Sequence, residues 1–207
     1  MKLVCLPVTA MQENVYFYYD GDTKTGIVID PGGEPNRLCR FIADNGLKIE
    51  GILLTHGHFD HILAVGEVKE ATGAPVACHA AEDGMLRSAR LNYSADVRKD
   101  KEIEADILFN DGDVFEFGGH KIKVIHTPGH TPGGVSYYAG ESGFLFSGDT
   151  LFYDSVGRTD LAGGDTATLK SSIKDKLFTL PEETAVYPGH GDSTTIAHEK
   201  ANNPFVR

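Results

Sequence analysis

Apolar residues recur along the chain in two alternating rhythms. Leu3 to Val8, Val15 to Tyr19 and Gly26 to Asp30 are short runs rich in β-branched and aromatic residues, separated by turn chemistry such as Asp20-Gly21-Asp22. They predict a small antiparallel meander, closed by Asp30-Pro31-Gly32-Gly33. From Glu34 to Asn45 the rhythm changes: Leu38, Phe41 and Ile42 fall at i, i+3 and i+4 before Gly46, an amphipathic helix with a glycine stop. A strand over Ile52 to Thr55, a helix from about Ile62 to Ala71, a strand over Pro75 to Cys78 and a helical piece over Ala80 to Ser88 follow. Arg87 to Asp106 has no sustained periodicity and carries Arg87, Arg90, Arg98, Lys99 and Lys101 around Asn92-Tyr93-Ser94. It reads as a solvated charged loop, with a substrate lid carrying Tyr93 as the alternative.

Strand-like runs return at Val114 to Phe117, Lys121 to Thr127, Val135 to Tyr138 and Phe144 to Ser147, punctuated by glycines. Leu169, Ile173 and Leu177 then stand four apart within Thr166 to Phe178, a helix capped by Asp165 or Thr166. A last strand, Ala185 to Tyr187, leads to His190, and a short terminal helix runs through His198 and Glu199. Strands followed by helix, twice over, predict an α/β fold with two sheets face to face and helices on both outer surfaces. No linker composition parts the halves, so residues 1–207 are expected to form one integrated domain.

Composition narrows the function classes. With 207 residues and 41 % hydrophobic content the chain can bury a sizeable core. Thirty acidic against 19 basic residues give a formal charge of −11, which repels a phosphate backbone and argues against nucleic acid. Cys5, Cys39 and Cys78 are odd in number and far apart, as expected of reduced thiols serving as small core hydrophobes. The first residues, broken by Pro7, do not resemble a signal peptide, and no stretch approaches the ~18 apolar residues of a membrane span. The expected address is the cytoplasm, as a monomer or small homo-oligomer.

The chemistry concentrates in Thr55-His56-Gly57-His58-Phe59-Asp60-His61, directly after an apolar run. Three later pieces, Thr127-Pro128-Gly129-His130, Ser147-Gly148-Asp149-Thr150 and Tyr187-Pro188-Gly189-His190, each add one ligand-type residue at a strand end. In an extended segment His56 and His58 point the same way and can reach one cation at the ~2.0–2.1 Å usual for zinc and histidine. Asp60 and His61, on the turn into the next helix, aim at a second position, and Asp149 can bridge. His56, His58, His130 and Asp149 would surround one ion, and Asp60, His61, His190 and Asp149 the other. His79, His120, His126 and His198 read as surface or hydrogen-bonded histidines.

The run His56-Gly-His58-Phe-Asp60-His61, with the downstream pieces in order, resembles the signature of the metallo-β-lactamase-fold hydrolases over essentially the whole chain. That likeness implies an αββα sandwich with metals at one edge and the seven ligands named above. Gly157-Arg158-Thr159-Asp160, Pro188-Gly189-His190-Gly191 and Asn203-Pro204-Phe205 look most like short glyoxalase-II-like (hydroxyacylglutathione hydrolase-like) enzymes. The classical zinc β-lactamases lack a histidine at the place of His61 and usually have a cysteine at that of Asp149, flavo-diiron proteins have glutamate at that of His58, and nuclease branches are longer.

Two cations can turn a shared water into hydroxide near neutral pH and polarise a carbonyl. A thiolate leaves readily because a thiol has a pKa of ~8.5, whereas an amide nitrogen must be protonated. With Asp60 as the one evident proton-handling group, thioester hydrolysis demands least, and the resemblance implies S-acylglutathione esters such as S-D-lactoylglutathione. With 17 residues following His190 (207 minus 190), the carboxy-terminal helical domain of full-length glyoxalase II enzymes is not expected. Asp160 and Asp192 stand where those enzymes have tyrosines. Arg158 would meet a substrate carboxylate or pair with Asp160 in a buried bridge.

Persulfide dioxygenases are similar too, through the fold, Gly157-Arg158-Thr159-Asp160 and a site like His56, His130 and Asp149 around one iron, and supply the alternative function. Asp30 is expected behind an imidazole, where the resemblance places a structural aspartate. Two divalent ions are expected, zinc first, with iron or manganese also suited to the ligand set.

Overall fold

The computed structural model describes residues 1–206. Strands β1 (Lys2–Val8), β2 (Glu13–Tyr19) and β3 (Thr25–Ile29) pair antiparallel. β4 (Lys48–Leu53), β5 (Val76–His79) and β6 (Ile107–Phe109) continue the sheet in parallel, in the order β1-β2-β3-β4-β5-β6. The second sheet holds β7 (Val114–Phe117), β8 (His120–His126), β9 (Val135–Ala139), β10 (Phe144–Gly148), β13 (Ala185–Pro188) and β14 (Thr194–Thr195). Its order is β14-β13-β10-β9-β8-β7, with β10 and β13 parallel and every other pair antiparallel. A two-stranded hairpin, β11 (Leu151–Phe152) with β12 (Ser155–Val156), stands apart.

Period-two alternation sorts side chains into layers. In β2, Tyr16 and Tyr18 face the second sheet, where Phe117, Ile122, Tyr137 and Phe146 meet them; Val15, Phe17 and Tyr19 face the helices. That is why all seven residues of β2 are buried. Helices α1 (Pro35–Asp44) and α3 (Val65–Thr72) cover the first sheet through Leu38, Ile42, Val65 and Val68. α5 (Thr166–Ser171) and α6 (Ile196–Asn202) cover the second through Leu169 and Ile196. The fold is therefore an αββα sandwich of two mixed sheets, the metallo-β-lactamase fold. Buried tyrosines fasten the sheets where the ligand loops emerge: the Tyr16 hydroxyl donates to the Pro188 carbonyl and that of Tyr137 to the Leu54 carbonyl, each at 2.7 Å.

Several local expectations change. The helix expected over Ile62 to Ala71 is two, α2 (Phe59–Ile62) and α3, because the chain turns at Leu63 and Ala64. Asp60 and His61 thus sit on a one-turn helix. The helix expected to Phe178 loosens after Ser171 into a π turn and a 3₁₀ turn, where the Ser172 hydroxyl donates to the Pro128 carbonyl. The piece at Ala80 is a 3₁₀ turn running into α4 (Asp83–Leu86). β6, β11, β12 and β14 were not expected; at two or three residues they carry no readable alternation. Cys78 is buried, but Cys5 lies exposed on edge strand β1 rather than in the core. None of the helices described is long and apolar enough to cross a membrane.

Candidate metal centre

Because β8 and β10 both run antiparallel to β9, and β10 runs parallel to β13, the carboxyl ends of all three strands share one edge. The loop leaving β4 joins them there through a bond from the Val135 amide to the Thr55 carbonyl, 2.8 Å. This edge gathers all seven residues that the sequence singled out. His56, His58 and His130 form one cluster and Asp60, His61 and His190 another, with ligand atoms in each within 4.8 Å of one another. Asp149 lies between them. Its Oδ1 is 3.4 Å from His61 Nε2, and its Oδ2 is 3.6 Å from His130 Nε2 and 3.8 Å from His190 Nε2. His58 Nδ1 and His130 Nε2 face each other at 2.9 Å, and Asp60 Oδ2 is 3.3 Å from His190 Nε2. Gly189 permits this closeness: a Cβ there would overlap Asp149 Oδ1 and the His61 ring.

Supporting groups set the orientation. Asp30 takes a left-handed turn (φ 49°) at the end of β3, a conformation aspartate tolerates. Its carboxylate accepts from the Thr55 amide (2.7 Å) and hydroxyl (2.5 Å) and lies 2.9 Å from His61 Nδ1. Asp30, His56 and His61 also fall within chelating distance of one another. With its oxygens engaged in this way, Asp30 is placed behind His61 rather than as a ligand. His130 Nδ1 lies 2.7 Å from the Arg158 carbonyl, and Gly157 beside it has no room for a Cβ against the Asp149 carbonyl.

Two buried glutamates escaped the sequence reading. Glu82 accepts from the Gly57 amide (2.8 Å), the Gly133 amide (2.7 Å) and the Thr131 hydroxyl (3.1 Å), tying the His56–His58 loop to the His130 loop. Glu13 is fully buried 3.8 Å from His61 Nδ1, and neither carboxylate oxygen has a hydrogen-bond partner. The one available signal was an acidic residue set against an apolar strand run.

The electrostatics differ between clusters. Burial, reinforced by neighbouring imidazoles, holds His56 well below the usual histidine range and lowers His58 to about 3. At His61 burial pulls the same way, but Asp149 and Asp30 overcome it and push the pKa well up. His61, His130 and His190 likewise outweigh burial at Asp149 and lower its carboxyl, and a bond from His190 does so at Asp60. His56 Nε2, His58 Nε2, His61 Nε2 and Asp149 Oδ1 are buried without a hydrogen-bond partner, a state rare for polar atoms unless something else occupies them. Four such orphans in a nitrogen and oxygen donor set fit divalent cations.

A cleft of about 560 Å³ opens over the centre. Met11, Phe59, Tyr93, Phe152, Val156 and Leu161 give it an apolar wall, and Arg158 and Asp96 also line it. Tyr93, at φ 63°, sits with its ring centroid 5.6 Å from that of His58, and its hydroxyl accepts from the Ala162 amide at 3.0 Å. The 87–106 segment is tied down rather than merely solvated, since Asn92 and Ser94 are buried and bond to the Lys101 carbonyl. Arg158 pairs with Asp160, but the bridge is exposed, not buried. His79 and His126 stack on each other at 3.9 Å, His120 meets Asp20 and Glu141, and His198 meets Asp154, all outside the seven.

The model of the Metallo-beta-lactamase superfamily matches residues 8–190. The chain belongs to that family. Probable metallo-hydrolase YqgX of Bacillus subtilis (strain 168) is 42 % identical over 208 residues, spanning 100 % of this chain and 98 % of that protein. Hydroxyacylglutathione hydrolase GloC of Haemophilus influenzae is 38 % identical over 210 residues with the same coverage. Among solved structures, the BLEG-1 B3 metallo-β-lactamase superposes at TM-score 0.95 with 41 % identity, covering 99 % of each chain. TTHA1623 in a di-iron-bound form gives 0.87 with 39 % identity over 98 % of this chain and 99 % of its own. ETHE1 from Myxococcus xanthus gives 0.82 with 32 %, covering 99 % of this chain and 84 % of that one. Such a range of names on one backbone establishes a metallo-hydrolase superfamily member and leaves the substrate to the cleft.

Proposed function

We propose that the protein is a metal-dependent hydrolase of acyl thioesters, with S-acylglutathione esters such as S-D-lactoylglutathione as the first substrates to test. The observation that carries this reading is Asp149 between two ligand clusters at the floor of an apolar cleft. Divalent ions held by His56, His58, His130 and Asp149 and by Asp60, His61, His190 and Asp149 would polarise the acyl carbonyl and acidify water; zinc is the first expectation, with iron or manganese also suited.

The chain supplies the rest. Asp60, its carboxyl held low beside His190, can take a proton from the attacking water. The apolar wall excludes bulk water, and Tyr93, whose hydroxyl already accepts from Ala162, can donate its own proton to substrate. In the overall step a C–O bond forms to the acyl carbon and the C–S bond breaks. The electron pair leaves with sulfur, which takes up the proton to become the free thiol. No strong acid is needed, because the leaving thiol has a pKa of only ~8.5.

Metal content by mass spectrometry and two assays on one preparation test the reading: loss of thioester absorbance, and oxygen uptake with glutathione persulfide. The expected result is thioester loss with two ions per chain. One iron per chain, oxygen uptake and no thioester loss would instead establish the mononuclear persulfide dioxygenase reading.

A further inference from the structure

Among the described residues, Arg158 is the one arginine or lysine lining the cleft, and its charge is already answered by Asp160. Its Nε donates to Asp160 Oδ1 at 2.7 Å and its Nη2 to Asp160 Oδ2 at 2.8 Å. A two-point fork of this kind is the same contact that a substrate carboxylate would require. Three N–H groups of the guanidinium remain, but they belong to a neutralised pair. Among the described residues, Asp96 is the other charged side chain on the wall away from the centre, of the wrong sign for an anion. Ser155 and apolar side chains line the rest of the wall, and the whole chain carries a formal charge of −11.

Resting on the thioesterase reading, we propose that Asp160 is a specificity-determining residue: by occupying Arg158 it steers the cleft to thioesters with an apolar acyl chain and a thiol bearing no carboxylate, ahead of glutathione esters. The device is separable from the metal centre. The Arg158 backbone carbonyl faces His130 Nδ1, while the Arg158 and Asp160 side chains are 62 % and 67 % exposed. Changing Asp160 therefore frees a cation without altering the contact that orients His130.

The test uses the full chain loaded with zinc and two butanoyl thioesters, one of uncharged N-acetylcysteamine and one of glutathione. Wild type is expected to turn over the uncharged ester with a kcat/KM at least about fivefold higher. Asp160→Asn is expected to raise kcat/KM on the glutathione ester about fivefold, mainly through KM, the scale of one exposed ion pair, and to leave the uncharged ester within twofold. Adding Arg158→Ala to that variant should abolish the gain. A wild type that handles the glutathione ester as well as or better than the uncharged one, or an Asp160→Asn that moves both esters alike or neither, overturns the assignment while leaving the hydrolase reading intact. Failure of the zinc-loaded wild type to cleave either ester overturns both.

Discussion

Three imidazoles, His56, His58 and His130, make one side of the centre, whereas the other sets His61 and His190 among Asp60, Asp30 and the unpartnered Glu13. The first side is framed by neutral hydrogen-bonding groups and one carboxylate at a distance. Thr55 Oγ1 meets His56 Nδ1 at 3.1 Å, Glu82 spans the two loops, and the Arg158 carbonyl faces His130. The second is framed by charge. Burial and neighbouring imidazoles favour the neutral form of His56 and His58, whereas Asp149 and Asp30 favour the protonated form of His61. The two sides thus differ in their electrostatic surroundings, with Asp149 common to both.

The largest expected effect comes from the shared group. Asp149→Ala should empty both positions and lower turnover by at least about a hundredfold, more than changes behind a ligand usually cost. Near-complete metal content in that variant, by mass spectrometry, would break the picture of a shared carboxylate.

Next in size is a pH effect on the comparison itself. The His61 pKa is raised, so acid favours its proton over a cation, whereas those of His56 and His58 are lowered and stay deprotonated. As pH falls from about 7.5 to about 5.5, zinc content at limiting metal should drop from two ions towards one, with the imidazole cluster retained. Both ions leaving together would erase the distinction.

Glu82→Ala sharpens the framing of the imidazole side. It leaves the Gly57 and Gly133 amides and the Thr131 hydroxyl without their acceptor, which should lower stability in urea unfolding by roughly 3 kcal/mol and loosen the three-imidazole cluster first. The smallest effect belongs to the cleft above: Tyr93→Phe, lacking the hydroxyl that meets Ala162, should reduce kcat/KM about fivefold at unchanged metal content. Loss of metal in that variant would instead make Tyr93 a support of His58.

Much of this was legible in the chain. β2 announces itself as a continuous run of β-branched and aromatic residues, α1 by i, i+3, i+4 spacing, and the seven ligand-type residues by their density beside strand ends. The short strands and the split at Leu63 were not legible, because two or three residues show no period and pairing partners alone create such strands. Glu82 and Glu13 were hidden for another reason: a lone glutamate looks like any solvated one until the fold buries it.

By itself, then, the sequence determined the layering of helices and sheets and the inventory of ligand-type residues, since periodicity and residue chemistry are local properties. Tertiary structure alone decided which of those residues meet. Sheet topology brought four strand ends to one edge, put Asp149 between two clusters, and set Asp30 and Glu13 behind His61. Distances between residues up to 134 positions apart in the chain, as His56 and His190 are (190 minus 56), follow from strand order and packing, which no local pattern encodes.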